Sequence, residues 1–181
     1  KRQWAMIQAR IRRVRTTEDR AIAADRKLPE ELDVSLKAAL AEAAKLVAAR
    51  ADKATRDTAI GVAQGLVDHY ASLRRDDLAE QVIAILAPPA AEETATPPLA
   101  DWATWARAHL LARRAGESVA IAARRAGESA SLTLDPAHAQ EISLLGELLG
   151  RFPESEYRGP AVDRLLAIAD IYQNYGSFDV A

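Results

Sequence analysis

The sequence predicts an all-α protein. Alanine accounts for 40 of the 181 residues, and alanine is the best helix former because it loses no side-chain rotamer freedom. Apolar residues recur at helical spacing along most of the chain, which is typical of helices with one buried face. Aromatic residues make up only 5% of the sequence, so we expect a thin core in which helix backbones approach closely over small side chains.

The N-terminal segment is basic. Residues 1–27 carry a local charge of +6, and the remainder carries −8. Four apolar residues in this segment recur at helical spacing, which predicts an amphipathic helix. They are Trp4, Ile7, Ile11 and Val14. Thr16 and Thr17 are expected to end this helix and to cap a following one.

A basic patch occupies the other faces of this helix. Its members are Arg10, Arg12, Arg13 and Arg15. We favour a surface helix whose arginines are solvated or paired with acidic neighbours. The alternatives are a membrane-proximal position, with Lys1, Arg2 and Trp4 next to a membrane, and a nucleic-acid contact. Nucleic acid is the least favoured partner, because the cluster is short and strong phosphate binding needs a wider basic face.

Residues 1–89 are predicted to form an N-terminal helical array that begins with this basic helix. A second helix is expected to begin at Pro29, which suits a first helical turn, and to end near Asp52. Thr55 or Asp57 is expected to cap the third helix, and the fourth is expected to end at Pro88. The residues predicted to be buried are Leu32, Leu36, Leu40, Ala43 and Val47, then Ala63, Leu66, Val67 and Tyr70, then Ala79, Ile83 and Leu86. Gly61 and Gly65 share a face, which indicates close packing against a neighbouring helix.

Residues 90–100 are rich in proline, alanine and glutamate and predict an extended linker. Residues 101–181 are predicted to form a C-terminal helical array, with Asp101 as the cap of its first helix. The string "ARRAGES" occurs at 112–118 and again at 123–129. Eleven residues return a helix to nearly the same face, so one continuous helix would align the two copies. We favour a turn at Gly116 instead, because glycine destabilises a helix interior.

Asp135 and Pro136 predict the start of another helix, with a cap followed by a first-turn proline. Gly150 and Pro153 are expected to end it. Its predicted buried residues are Ile142, Leu145, Leu148 and Leu149.

The last thirty residues carry a longer pattern. Its positions are Leu165, Ile168, Ala169, Tyr172, Gly176, Phe178 and Ala181, preceded by Pro153, Ser155, Tyr157 and Ala161. This spacing resembles the tetratricopeptide repeat, with Leu165 in place of its tryptophan and Ile168 in place of its leucine. Tyr70 and Ala79 have the same separation as Tyr172 and Ala181, so the earlier helices resemble a degenerate repeat. That copy departs at its turn, where Arg74 and Asp76 replace glycine and an aromatic residue.

The resemblance implies antiparallel helical hairpins stacked into a right-handed α-solenoid, of which this chain would be a fragment. It also implies that the first helix of each repeat lines a binding groove. By register, the groove positions are Asp163, Leu166, Ala167, Asp170, Gln173 and Asn174, with Gln64 and Asp68 in the degenerate repeat. The family's carboxylate clamp uses lysine and asparagine, whereas Leu166 and Asp170 stand here. We therefore expect a basic or apolar protein or peptide partner, or self-association.

The sequence contains no recognisable arrangement of catalytic residues. His69, His109 and His138 lack the spacing of helical metal ligands, and no cysteine is present. Asp68 and His69 point about 100° apart on a helix, and Asp135 with His138 is expected to be a cap and a surface histidine. The sequence predicts no metal and no cofactor. We therefore expect a non-catalytic scaffold for protein–protein interactions, with a membrane-proximal or nucleic-acid-contacting module as the alternative and an enzyme third.

Overall fold

The computed structural model describes residues 2–50, 52–88, 98–126 and 134–174, including all of their side chains except those of residues 117–126. The all-α prediction is confirmed in this part of the chain, which contains seven α-helices. They are α1 (Arg2–Ala23), α2 (Val34–Ala49), α3 (Lys53–Ser72), α4 (Asp76–Leu86), α5 (Ala100–Ala126), α6 (Pro136–Arg151) and α7 (Arg158–Asn174). The chain divides into two compact units, Lys1–Ala100 and Asp101–Ala181. Most of the predicted linker, from residue 90 to residue 97, lies outside the described residues.

The N-terminal unit is built from α1 to α4. Helix α2 packs against α1, α3 and α4, and α3 packs against α4. The predicted faces of α2, α3 and α4 are confirmed, because all twelve of the residues predicted for them are buried, including Leu32 just before α2. In α1, Ile7, Ile11 and Val14 are buried, and Trp4 is half-buried. Adjacent helices thus bury their apolar stripes against one another, as elementary helix packing requires.

Both of the predicted starts for α2 and α3 are wrong by a few residues. Asp33 caps α2, where its carboxylate accepts hydrogen bonds from the backbone N–H groups of Ser35 and Leu36. Asp52 caps α3 and accepts hydrogen bonds from both the backbone N–H and the hydroxyl of Thr55, each at 2.9 Å. An aspartate side chain satisfies the free N–H groups of a first turn, whereas Pro29 offers only a compatible φ angle.

Helix α1 also continues through the residues predicted to end it. The hydroxyls of Thr16 and Thr17 donate to the backbone carbonyls of Arg12 and Arg13, four residues earlier, at 2.9 and 3.0 Å. This backward bond satisfies a threonine inside a helix without breaking it. The helix ends instead at Ala23, and the turn that follows contains Asp25, a non-glycine residue with a positive φ angle of 54°.

The turn between α3 and α4 contains a residue with a positive φ angle, although it has no glycine. Arg74 has a φ angle of 58°. The backbone N–H of Arg75 donates to the carbonyl of Tyr70, and that of Arg74 donates to the carbonyl of Ala71. These two bonds form a Schellman motif, whose left-handed residue is usually glycine. Arg74 therefore adopts the left-handed conformation for which glycine is usually required.

The C-terminal unit is built from α5, α6 and α7. Its core contains Ala108, Leu145, Leu148, Ala161, Ile168 and Tyr172. The segment before α7 contacts α5, because the rings of Trp105 and Tyr157 stack with centroids 5.8 Å apart. Asp101 lies in the first turn of α5 rather than at its cap, and one of its oxygens accepts a hydrogen bond from the Ser155 hydroxyl at 2.9 Å.

The favoured turn at Gly116 is wrong, since α5 continues from Ala100 to Ala126. A glycine in a helix interior costs about 1 kcal/mol relative to alanine, which an alanine-rich helix of this length tolerates. The close packing expected at Gly61 and Gly65 is also wrong. An added Cβ at either residue would meet no atom within 4 Å.

Candidate functional site

The predicted groove positions of α7 lie together on its exposed side. Residues Asp163, Leu166, Ala167, Asp170, Gln173 and Asn174 are all exposed. The opposite side buries Ala161, Ile168 and Tyr172 against α6. Leu166 is 61% exposed, and the neighbouring Val162 is 44% exposed. The side of α7 that faces away from the core therefore combines two large apolar side chains with two carboxylates.

The corresponding positions in α3 are arranged differently. The side-chain amide of Gln64 donates to the carboxylate of Asp68 at 2.9 Å, one helical turn away. Asp68 is exposed and Gln64 is half-buried. This pair satisfies part of its own hydrogen-bonding capacity.

The four residues of the basic patch lie in different environments. Arg10 donates to the Glu42 carboxylate on α2 at 3.1 Å, with half of its side chain exposed. Arg12 and Arg15 border a cleft of 290 Å³ between α1 and α3, where Gly61 and Gly65 leave open space. Arg13 is exposed. The apolar side of α1 is buried in the unit. Among the helices that the structure describes, none has both the length and the hydropathy of a membrane span.

A buried carboxylate lies between α1 and α3. Glu18 is 5% exposed, and its Oε1 accepts a hydrogen bond from the Tyr70 hydroxyl at 2.9 Å. Its Oε2 lies 3.7 Å from His69 Nε2, too far for a hydrogen bond. Among the described residues, no hydrogen bond reaches either of these two atoms. Burial raises the pKa of Glu18, partly offset by the Tyr70 hydrogen bond and by His69.

A buried imidazole occupies the C-terminal unit. His138 is fully buried, and its Nδ1 lies 2.8 Å from the Tyr172 hydroxyl. That hydroxyl oxygen already accepts the backbone N–H of Asp135 at 2.9 Å, so its own hydrogen is free to donate to Nδ1. We infer that the proton of neutral His138 sits on Nε2. Burial lowers the pKa of His138 and stabilises this neutral form.

An ion pair stands beside this imidazole. Glu141 is 1% exposed, and its carboxylate accepts two hydrogen bonds from the Arg164 guanidinium on α7, at 2.5 and 3.0 Å. His138 Nε2 lies 4.0 Å from the same carboxylate. The bidentate pair connects α6 to α7 and leaves Glu141 with strong donors on both oxygens.

The expectations for the histidines are partly wrong. Asp135 caps α6, as predicted, but His138 is buried rather than on the surface. The directions of Asp68 and His69 diverge as predicted, since Asp68 binds Gln64 and His69 faces Glu18. Neither buried group was found from the sequence. The signal was present, because Glu18 continues the spacing of Ile7, Ile11 and Val14, and His138 with Glu141 continues that of Leu145 and Leu148.

The buried face of α6 agrees only in part with the prediction. Leu145 and Leu148 are buried as predicted, whereas Ile142 and Leu149 are half-buried. His138 and Glu141 occupy the remaining core positions. These residues form a positioned polar cluster, but within the described residues no three histidine, aspartate or glutamate side chains are placed to hold a metal ion.

Comparisons with protein-family models, curated proteins and solved structures find no match to this chain. The likeness to tetratricopeptide repeats therefore depends on the residues quoted above.

Proposed function

We propose that this chain is a non-catalytic protein-binding module of stacked helical hairpins, a part of a right-handed α-solenoid. Support comes from the N-terminal unit, where α2 packs on both helices of the following α3–α4 pair. Stacked hairpins bury a continuous core and leave one side of each outer helix available for a partner. The Schellman turn at Arg74 adds support, because it has the backbone conformation of the repeat's glycine.

The observation that carries the proposal is the exposed side of α7. Leu166 and Val162 place large apolar surface next to Asp163 and Asp170. Apolar side chains on a helix surface mark interaction sites when they are contiguous and bordered by polar residues. Carboxylates next to them favour a partner that carries lysine or arginine beside apolar side chains. We therefore propose a basic, partly apolar peptide segment as the ligand.

A peptide-display selection against the whole chain tests this function. We expect the selected peptides to combine basic and apolar residues and to bind about tenfold more weakly, or worse, to Leu166→Asp, because truncating an interface centre removes most of the binding energy. Val34→Asp is the matched control, since Val34 is 82% exposed but lies at the start of α2. Selected peptides whose affinity is equal for wild type and Leu166→Asp would contradict the proposal.

A second candidate function is contact with an anionic surface through α1. Arg12 and Arg13 are exposed, which favours it. Because Ile7 and Ile11 are buried in the unit, this contact would depend on charge alone and would weaken strongly with salt. Co-sedimentation with anionic vesicles and with duplex DNA across a salt series tests it. Binding that persists when Arg12, Arg13 and Arg15 are replaced by glutamine would contradict it.

A further inference from the structure

The exposed side of α1 carries a stripe without acidic residues. The arginine stripe consists of Arg2, Met6, Ala9, Arg13, Thr16 and Arg20, all of them exposed. It lies opposite the buried residues Ile7, Ile11 and Val14, so the core of the unit does not cover it. Met6 is 47% exposed. In the described part of the chain, Arg13 and Arg20 belong to no ion pair.

The exposed side of α7 has the opposite character. The aspartate face consists of Val162, Asp163, Leu166, Asp170 and Gln173, all of them exposed. It contains no basic residue, and in the described part of the chain Asp163 and Asp170 are in no ion pair. Two helix faces of opposite charge therefore occur in one chain, each with apolar side chains beside the charges.

The charges on the two faces have the same spacing. Arg13 and Arg20 are seven residues apart, as are Asp163 and Asp170. Seven residues span about 10 Å along a helix and return nearly to the same face. When two such helices lie antiparallel, Arg13 meets Asp170 and Arg20 meets Asp163. Flanking charges at heptad spacing select partner and orientation in helix pairs in this way.

We propose that the arginine stripe of one copy of this chain binds the aspartate face of another copy. The inference rests on the proposed function, because it names the partner of the α7 surface as a second copy of the same chain. The contact is heterologous, since it joins two different surfaces. A contact between two single helices is at the small end of protein interfaces, so we expect association that is weak, reversible and reduced by salt.

Two charge-reversed variants test the pairing by sedimentation velocity of the full chain. The first is Arg13→Glu with Arg20→Glu, and the second is Asp163→Arg with Asp170→Arg. Each variant alone should self-associate about tenfold more weakly than wild type, or worse, because two attractions become repulsions. An equimolar mixture should associate again, since the first variant keeps the aspartate face and the second keeps the arginine stripe.

The control variant, Lys45→Glu with Arg50→Glu, makes the same charge change at two exposed residues outside the stripe. It should associate like wild type. A monomeric wild type, a single variant that associates like wild type, or a mixture of folded variants that stays monomeric would overturn the proposal. Circular dichroism of each variant establishes that it is folded.

The two proposals fail in different ways. Peptide binding that depends on Leu166, in a chain that does not self-associate, would leave the proposed function standing and remove only the self-pairing. The first variant is suited to this comparison, because its α7 face is unchanged and carries no bound copy.

Discussion

The two units place a tyrosine hydroxyl against a buried titratable group, but the groups are of opposite kinds. Tyr70 donates to the carboxylate of Glu18, and Tyr172 bonds the imidazole of His138. The repeat resemblance equates these two tyrosines. A buried hydroxyl needs a hydrogen-bond partner, and each unit supplies one from a different helix. The position of the tyrosine thus predicts a buried polar contact, whereas the partner determines how stability responds to pH.

The two buried groups also differ in their neighbours. In the N-terminal unit, Glu18 Oε2 is buried and receives no hydrogen bond from the described residues. In the C-terminal unit, His138 Nε2 is also buried without a hydrogen bond to the described residues, but beside it Arg164 donates to both oxygens of Glu141. An unsatisfied buried oxygen destabilises the charged carboxylate, which agrees with the raised pKa of Glu18.

The largest effect is expected from breaking the Glu141–Arg164 pair. Replacing Arg164 by methionine leaves the buried carboxylate without its donors, which should lower the free energy of unfolding by about 2 to 3 kcal/mol, allowing for the partial exposure of Arg164. Urea denaturation measures this loss. Arg151→Met breaks the exposed pair with Glu147 and should cost less than about 0.5 kcal/mol. Equal losses in both variants would show that burial does not set the strength of the pair.

Removing each tyrosine hydroxyl should have the next largest effect. Tyr70→Phe and Tyr172→Phe should each lower the free energy of unfolding by about 1 to 3 kcal/mol, because buried partners lose their hydrogen bonds. The cost of Tyr70→Phe should shrink as pH falls towards 4.5, the ordinary pKa of a glutamate. The reason is that a hydrogen bond to a charged acceptor is stronger than one to a neutral acceptor. Chemical denaturation at several pH values measures both changes, and a cost of Tyr70→Phe that ignores pH would contradict the account of Glu18.

Replacing helical glycines that have open space around them should change the free energy of unfolding least. The change should have the same sign in both units. Gly61→Ala, Gly65→Ala and Gly116→Ala should each stabilise the chain by about 0.5 to 1 kcal/mol, because the added methyl meets no atom within 4 Å. Thermal unfolding measures the gain. Ala63→Gly at a fully buried position is the opposite control and should lower the melting temperature. A destabilising Gly61→Ala would mean that its side of α3 is covered.

The helices and their buried faces were predictable where the local spacing of apolar residues determines them. The faces of α2, α3 and α4 followed from apolar spacing. The predicted starts of α2 and α3 were wrong because the carboxylates of Asp33 and Asp52 accept hydrogen bonds from the free N–H groups of the first turn. Glu18 and Glu141 were missed because a charged residue is ordinarily read as exposed. Their partners cannot be read from the local sequence, since Tyr70 lies 52 residues from Glu18.

The candidate surface was predictable only as a set of positions. Register places Asp163, Leu166 and Asp170 on one side of α7, and the structure describes all three as exposed. The register did not reveal that Asp163 and Asp170 have the same spacing as Arg13 and Arg20 on α1. The predicted helix ended at Thr16, so Arg20 was not expected to lie on the same helix as Arg13.

The difference between the units predicts opposite responses to mild acid. Burial lowers the pKa of His138 from 6.5, so the unfolded chain takes up a proton first and the C-terminal unit loses stability as pH falls below 6.5. Burial raises the pKa of Glu18 from 4.5, so the folded N-terminal unit takes up a proton first and gains stability as pH falls towards 4.5. The pKa values of Glu31, Asp52 and Asp77 are lowered from ordinary values of 4.5 for the glutamate and 3.8 for the aspartates. Titration of these three groups therefore changes stability only at or below those values, near the lower end of this window.

Native-state hydrogen exchange between pH 7 and about pH 5 tests this account of opposed buried groups most directly. After correction for intrinsic exchange rates, we expect protection to fall in α6 and α7 and to hold or rise in α3. His138→Gln should remove the first change, and Glu18→Gln should remove the second. Protection that changes in the same direction in both units, or that changes equally in the two variants, would contradict it.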